Sequence, residues 1–148
     1  MNGLLSFVIF FPVVIGIFIG ILGSKSFFKN RIKLIAIIAS IVEMFASVLI
    51  FLNYDKNIGG IQFIDYFDSW IPFSSFTARY LIGVDGLSTP LVLLTGILGF
   101  CAIVASLKIN KRENEYFMWL LILQGVVVGV FSSLDLLLLF IFWEAELI

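Results

Sequence analysis

The chain has 148 residues, 61% of them hydrophobic and only 13% charged, with a net charge of −1 and a mean hydropathy of +1.16. Soluble domains carry about a quarter charged residues, so this is the composition of an integral membrane protein. With no His and a single Cys, Cys101, inside an apolar run, the sequence holds neither an internal disulfide nor a ligand set for zinc, haem or iron–sulfur clusters, and it has no basic patch for nucleic acid.

Apolar stretches of about 20 residues, the length a helix needs to cross ~30 Å of hydrocarbon, predict helices at about 4–23, 32–53, 88–107 and 116–133, with a fifth beginning at 135. This is an all-α, multi-helix membrane bundle. Met1-Asn2-Gly3-Leu4 has no positive n-region, and no small-residue cleavage site follows, so the first segment is expected to stay as an anchor. Gly16 with Gly20 and Gly125 with Gly129 form Gly-x-x-x-Gly steps that let helices approach closely. Glu43 sits 12 residues into the second span, near the expected midplane. It reads equally as a proton-path residue or as a structural acid bonded to Ser40 or Ser47 on its own helix.

Seven of the nine basic residues, Lys25, Lys29, Arg31, Lys33, Lys108, Lys111 and Arg112, fall in two short connections or, for Lys33, just past the end of one. The positive-inside rule makes loops 24–31 and 108–115 cytoplasmic and puts the N-terminus outside. The connection 54–87 is then external. Its Tyr66, Phe67, Trp70, Phe73, Phe76 and Tyr80 predict a segment lying in the membrane interface. In Gly83-Val84-Asp85-Gly86-Leu87-Ser88-Thr89-Pro90, Asp85 caps the third helix, or Ser88 or Thr89 does, with Pro90 in the first turn. Cys101 reads as a small apolar packing residue.

Ser132-Ser133-Leu134-Asp135 reads as a tight turn in which Asp135 caps the fifth helix at its outer end. From Asp135 to Ile148 is 14 residues, a reach of only ~20 Å. The fifth helix is therefore expected to stop inside the membrane and the chain to be the front part of something longer. Glu144 lies nine residues beyond Asp135, ~13 Å along the helix and close to the midplane. A carboxylate at that depth is costly unless paired, hydrated or protonated, which makes Glu144 the leading candidate for proton transfer. Its neighbours at three and four positions, Phe140, Ile141 and Ile148, are apolar, so a cationic partner has to come from elsewhere. Glu146 is about 200° away round the helix and faces a partner helix or water instead. Trp143 reads as packing beside Glu144.

Gly83-Val84-Asp85-Gly86-Leu87-Ser88, followed about 55 residues later by Phe142-Trp143-Glu144-Ala145-Glu146-Leu147-Ile148, resembles the antiporter-like subunits of respiratory complex I, the NADH–quinone oxidoreductase, in the subunit M (chain 4) branch. The resemblance covers essentially all 148 residues but only about the first third of a family member. It implies two inverted five-helix repeats and a proton-translocating subunit without a redox centre, coupled to electron transfer from NADH to quinone. It further implies that Glu144 pairs with a lysine on a later, broken helix, beyond Ile148. Flavin mononucleotide, iron–sulfur clusters, NADH and quinone are then expected in other subunits, and the partners are other membrane-arm subunits, the lipid bilayer and protons. The expected location is a bacterial inner membrane or the membrane of an energy-converting organelle. A subunit of a multisubunit cation/proton antiporter or membrane-bound hydrogenase is the alternative on the same fold, and an assembly subunit without transport is a third.

Overall fold

A computed structural model describes residues 3–23, 31–73 and 76–147. In chain order they form helix α1 (Leu4–Leu22), helix α2 (Ile32–Asn53), strands β1 (Gln62–Phe73) and β2 (Phe76–Val84), helix α3 (Ser88–Ala105) extended by a short 3₁₀ turn (Ser106–Lys108), helix α4 (Glu113–Ser132) and helix α5 (Leu136–Glu146). Among the described residues, four helices are long and apolar enough to cross a membrane, not five. The fifth, α5, has 11 residues and rises about 16 Å. Each span leaves more than half of its residues unburied, and the exposed ones, such as Val14 and Ile21 on α1 or Leu49 and Leu52 on α2, are apolar. That surface suits hydrocarbon rather than water.

The tightest contact in the bundle joins α1 to α4. A side chain added at Gly16 would lie 2.8 Å from the Met118 carbonyl, and one at Gly20 would collide with the Met118 thioether. On the opposing helix, a side chain at Gly125 would collide with the Ile9 carbonyl and crowd Pro12 and Val13. The paired glycines therefore let the two backbones meet on both sides of one interface. Pro12 stands inside α1, where it withholds the N–H that would bond the Val8 carbonyl.

Two apolar clusters fill the bundle. One, towards the hairpin, gathers Leu5, Ile9, Ile50, Val92, Val126 and Phe142; the other, towards the opposite end, gathers Ile19, Ile32, Ala36, Ile103, Phe117 and Leu121.

The connection 54–87 contains an antiparallel hairpin, an element its aromatic content did not disclose. The hairpin has register shifts between Gln62 and Asp65 and between Phe67 and Ile71, and Phe63 beside the first adopts a φ of 54°. Such bulges re-aim the side chains that follow. Here Asp65 reaches the start of α1, accepting hydrogen bonds from the Gly3 N–H at 2.6 Å, the Ser6 N–H at 3.1 Å and the Ser6 hydroxyl at 2.7 Å. Gly3, at φ 91°, has no side chain to cap the helix, so an acid 62 residues away caps it instead. Tyr66 and Phe67 are exposed, while the side chains of Trp70, Phe73 and Phe76 lie outside the described residues. Most of the loop 24–31 also lies outside them.

β2 also pins the α4–α5 turn. The Leu134 N–H donates to the Leu81 carbonyl at 3.0 Å, and Ser133 pairs with Ile82 as an isolated bridge. β2 leads directly into α3 through Asp85, whose carboxylate accepts from the Leu87 and Ser88 N–H groups at 3.0 and 2.7 Å while the Ser88 hydroxyl accepts from the Asp85 N–H. This reciprocal pair satisfies donors that the first turn of a helix leaves free.

Gly20→Leu should overpack the α1–α4 contact and lower the stability of the purified chain in detergent by about 1–3 kcal/mol. Adding Met118→Ala should recover part of that loss, and strict additivity of the two changes would show that they do not meet.

The Ser88 N–H holds the Asp85 carboxyl below its usual range. A depressed value means the cap is complete at neutral pH and is lost as the pH falls through the folded-state value. Asp85→Ala should therefore cost at most about 1 kcal/mol at neutral pH, because the site is open to water, and the difference from the parent should vanish in acid. A difference that persists in acid would mean the loss is not that of the charged cap.

Candidate functional site

α5 begins from an ordered cap. The Asp135 carboxylate accepts from the Leu137 and Leu138 N–H groups at 3.0 and 3.2 Å, and its carbonyl accepts from the Leu139 N–H at 2.9 Å. This fixes where the helix starts and hence how far along it each later residue lies. Leu138 and Phe142, one turn apart, form the buried stripe of α5. Phe142 lies against Gly129 of α4, where a side chain would be 2.7 Å from its ring.

Glu144 is two residues beyond Phe142, about 200° round the helix, and so points away from the packed face. It is exposed, about 13 Å along α5 from its cap. With Asp135, Leu136, Leu139, Phe140 and Trp143 it lines an open apolar groove of about 740 Å³. Trp143 is exposed beside it. Lys33 pairs with Glu113 and Arg112 with Glu115, both at the ends of spans, and neither pair involves Glu144. Glu146 continues the stripe of Leu138 and Phe142 by one more turn, but it is exposed. The two acids thus face different surroundings on one short helix. A second groove of about 770 Å³ on the other side of α5 is lined by Ser6, Asp65, Tyr66, Tyr80, Ile141 and Phe142. The Tyr80 hydroxyl lies 2.9 Å from the Ser6 hydroxyl there.

Glu43 is the opposite case. It is fully buried on α2, and neither carboxyl oxygen has a hydrogen-bond partner among the described residues. Ser40 and Ser47 do not supply one: their hydroxyls donate to the Ile37 and Met44 carbonyls at 2.9 and 2.8 Å. Both are turned back onto the helix backbone, a bond always within reach of a mid-helix serine.

One polar residue escaped the sequence reading. Gln124 on α4 is 4% exposed, and its amide oxygen and nitrogen are also without partners among the described residues. Its signal is its position, a lone amide in Trp119-Leu120-Leu121-Ile122-Leu123-Gln124. No local pattern in the sequence links Asp65 to α1, 62 residues away at Gly3. Cys101 is exposed on α3 rather than packed. No group of three or more metal-ligating side chains occurs among the described residues.

No protein-family model matches the chain. Among curated proteins it is similar to NAD(P)H-quinone oxidoreductase chain 4, chloroplastic, of Chaetosphaeridium globosum, at 33% identity over 98% of this chain and 28% of that one. It is 32% identical to NAD(P)H-quinone oxidoreductase chain 4 1 of Thermosynechococcus vestitus, over 97% of this chain and 27% of that one. NADH-quinone oxidoreductase subunit M of Rhodobacter capsulatus matches at 32% identity, over 100% of this chain and 28% of its own. In fold, the chain resembles a chain of respiratory complex I from Thermus thermophilus with bound NADH, with a TM-score of 0.73 at 22% identity, over 97% of this chain and 27% of that one. It equally resembles a chain of the membrane-bound sulfane sulfur reductase, an archaeal respiratory membrane complex, with a TM-score of 0.75 at 18% identity, over 98% of this chain and 28% of that one. The chain spans a little over a quarter of the length of these curated relatives. Over the 148 residues it has, the chain belongs to the family of NAD(P)H-quinone oxidoreductase chain 4 and NADH-quinone oxidoreductase subunit M.

Proposed function

We propose that this chain is part of a membrane-arm subunit of an NADH–quinone oxidoreductase and moves protons across the membrane when electron transfer elsewhere in the complex drives it. The observation that carries this reading is Glu144: an ionisable residue about 13 Å along a capped membrane helix, turned outward from the bundle, in a chain whose relatives are complex subunits. A carboxylate presented to an apolar groove needs water, a proton or a cation. In this reading a lysine from the rest of the protein supplies the cation, and Glu144 gains and loses its proton as that partner withdraws and returns. Flavin mononucleotide, iron–sulfur clusters, NADH and quinone are held by other subunits, and this chain meets neighbouring membrane-arm subunits and lipid. The N-terminus lies outside, in a bacterial inner membrane or the membrane of an energy-converting organelle.

A second reading, a subunit of a cation/proton antiporter or a hydrogenase-like complex, rests on the same fold, which a chain of a different respiratory membrane complex also has. An electron donor separates the two: NADH-driven acidification that stops with quinone-site inhibition supports the first, and cation-driven proton exchange without NADH supports the second.

Glutamine keeps the shape and hydrogen bonding of Glu144 but does not ionise. In the intact complex, Glu144→Gln should assemble, lose most proton pumping and quinone reduction, and keep NADH oxidation by an artificial acceptor. Glu144→Asp should retain part of the activity, and Glu146→Gln should do much less harm. A Glu144→Gln complex that pumps at the parental rate while Glu43→Gln or Glu146→Gln fails would move the proton-transfer role to another acid.

The orientation is tested by cysteine labelling from outside in a Cys101→Ala background. Asn57→Cys should react and Lys111→Cys should not; the reverse pattern inverts the topology and the depth given to Glu144.

A further inference from the structure

Glu43 and Gln124 stand at one depth. Each is the twelfth residue of its helix, on α2 and α4, and α3 runs between them with Gly99 as its own twelfth residue. Register confirms the level. A side chain at Gly96 of α3 would collide with the Ser47 hydroxyl and lie 3.3 Å from the Met44 Cα, which places that turn of α3 against the outer neighbour of Glu43 on α2. Because α2 and α3 are antiparallel, Glu43, one turn before Ser47, meets the next turn of α3, which holds Gly99. From the other side the whole Gln124 amide occupies the space where a Gly99 side chain would be. Four buried polar atoms, two on Glu43 and two on Gln124, thus lie at the level of Gly99 with no partner among the described residues.

Native interiors leave few such atoms unmatched, and the usual resolution is water with two to four polar partners. The notch also has an outlet: Gln124 and Gly99 line a groove of about 230 Å³ between α3 and α4, with Thr95, Leu98, Ala102 and Leu120. We propose that Glu43 and Gln124 hold internal water between them across Gly99, and that this water and the Glu43 carboxyl pass protons between the α2–α3 interface and the α3–α4 groove. The ligand is water, and the site is a second proton-holding station, separate from Glu144. The transfer is a plain exchange: a protonated water gives its extra proton to the carboxylate on one side and becomes neutral water, and the carboxylic acid then gives its proton to a water on the other side and is a carboxylate again. It rests on the proton-translocating function proposed above.

The test uses the full-length protein in its intact complex in the host membrane, with assembly measured first. Glu43→Leu/Gln124→Leu removes all four unmatched atoms while keeping bulk, so a structural role predicts an assembled, undiminished pump. The proposal predicts assembly with pumping lowered severalfold, a similar loss in Glu43→Gln alone, and partial recovery in Glu43→Asp. Gly99→Ala, whose methyl would displace the Gln124 amide from the notch, should behave like the double variant. Parental pumping in an assembled double variant overturns the proposal, and so does Glu43→Asp performing no better than Glu43→Leu. A cryo-EM map of the parent complex that resolves ordered water reads the site without reference to pumping. Density between the Glu43 carboxyl and the Gln124 amide supports it; a direct, dry bond between the two, or another side chain filling the notch, overturns it. A parent complex that pumps no protons yet shows that water would refute the proposed function and the relay while leaving the water site standing.

Discussion

The close approach of α1 and α4 governs the rest of the bundle. Lipid tails are as apolar as leucine, so helices in a membrane gain little by hiding Leu or Ile from them, and association depends on how well backbones fit. Gly16 and Gly20 on one helix and Gly125 on the other remove the side chains that would hold these two apart. The fit is specific, because the Met118 thioether fills the notch opened at Gly20. α4 in turn packs against α3 at Gly99 and α5 at Gly129. A displacement of α4 would therefore be felt at Gln124 and at Phe142 together. The first of these belongs to the buried polar pair, and the second anchors the helix that carries Glu144.

The hairpin solves a different problem, the free N–H groups at helix starts. At one end of the bundle it brings Asp65 to α1, the Leu81 carbonyl to the α4–α5 turn and Asp85 to α3. Three segments distant in sequence are thereby fixed to one small sheet. Depth along α5 is set here as well, since the turn that β2 holds is the one from which Asp135 starts the helix. The placement of Glu144 is thus decided by the packing at Gly129 and by backbone hydrogen bonds to the hairpin, neither of which touches the carboxyl itself.

The spans were legible because twenty consecutive apolar residues have one interpretation, and the second helix, Ile32–Asn53, has the bounds its hydropathy suggested. α4 starts three residues earlier than its hydropathy, because Glu113, Asn114 and Glu115 form a polar first turn in which negative charge is favoured. The hairpin was not legible: its pairing is interrupted twice, so the alternation that marks a strand is broken where the bulges fall. Glu144 stands out from its own helix alone, since a charge in an apolar run is conspicuous. Its outward direction needed the neighbours, because i±3 and i±4 residues describe only the stripe beside a side chain and not what lies across from it. Serine misled for the same reason: proximity on the helix offered Ser40 and Ser47 to Glu43, and the backbone carbonyls, nearer still, took both hydroxyls. Gln124 was visible as a lone amide and gains meaning only when α3 brings it level with Glu43.

The two acids divide the chemistry by where they face. Glu43 is enclosed within this body, so whatever matches its oxygens has to fit inside the bundle, as water does. Glu144 stands on the outside of α5 beside a groove of about 740 Å³, a space large enough for side chains of another helix. An enclosed acid exchanging with water has a nearly constant environment. An acid at a contact between packed bodies has one that changes whenever those bodies shift, and a change in the distance to a cation alters how tightly the acid holds its proton. Coupling to a driven conformational change therefore requires the second kind of acid, whereas conduction to and from it requires only the first. In the proposed function Glu144 is where work is done on the proton, and in the proposed relay water between Glu43 and Gln124 would be part of the supply.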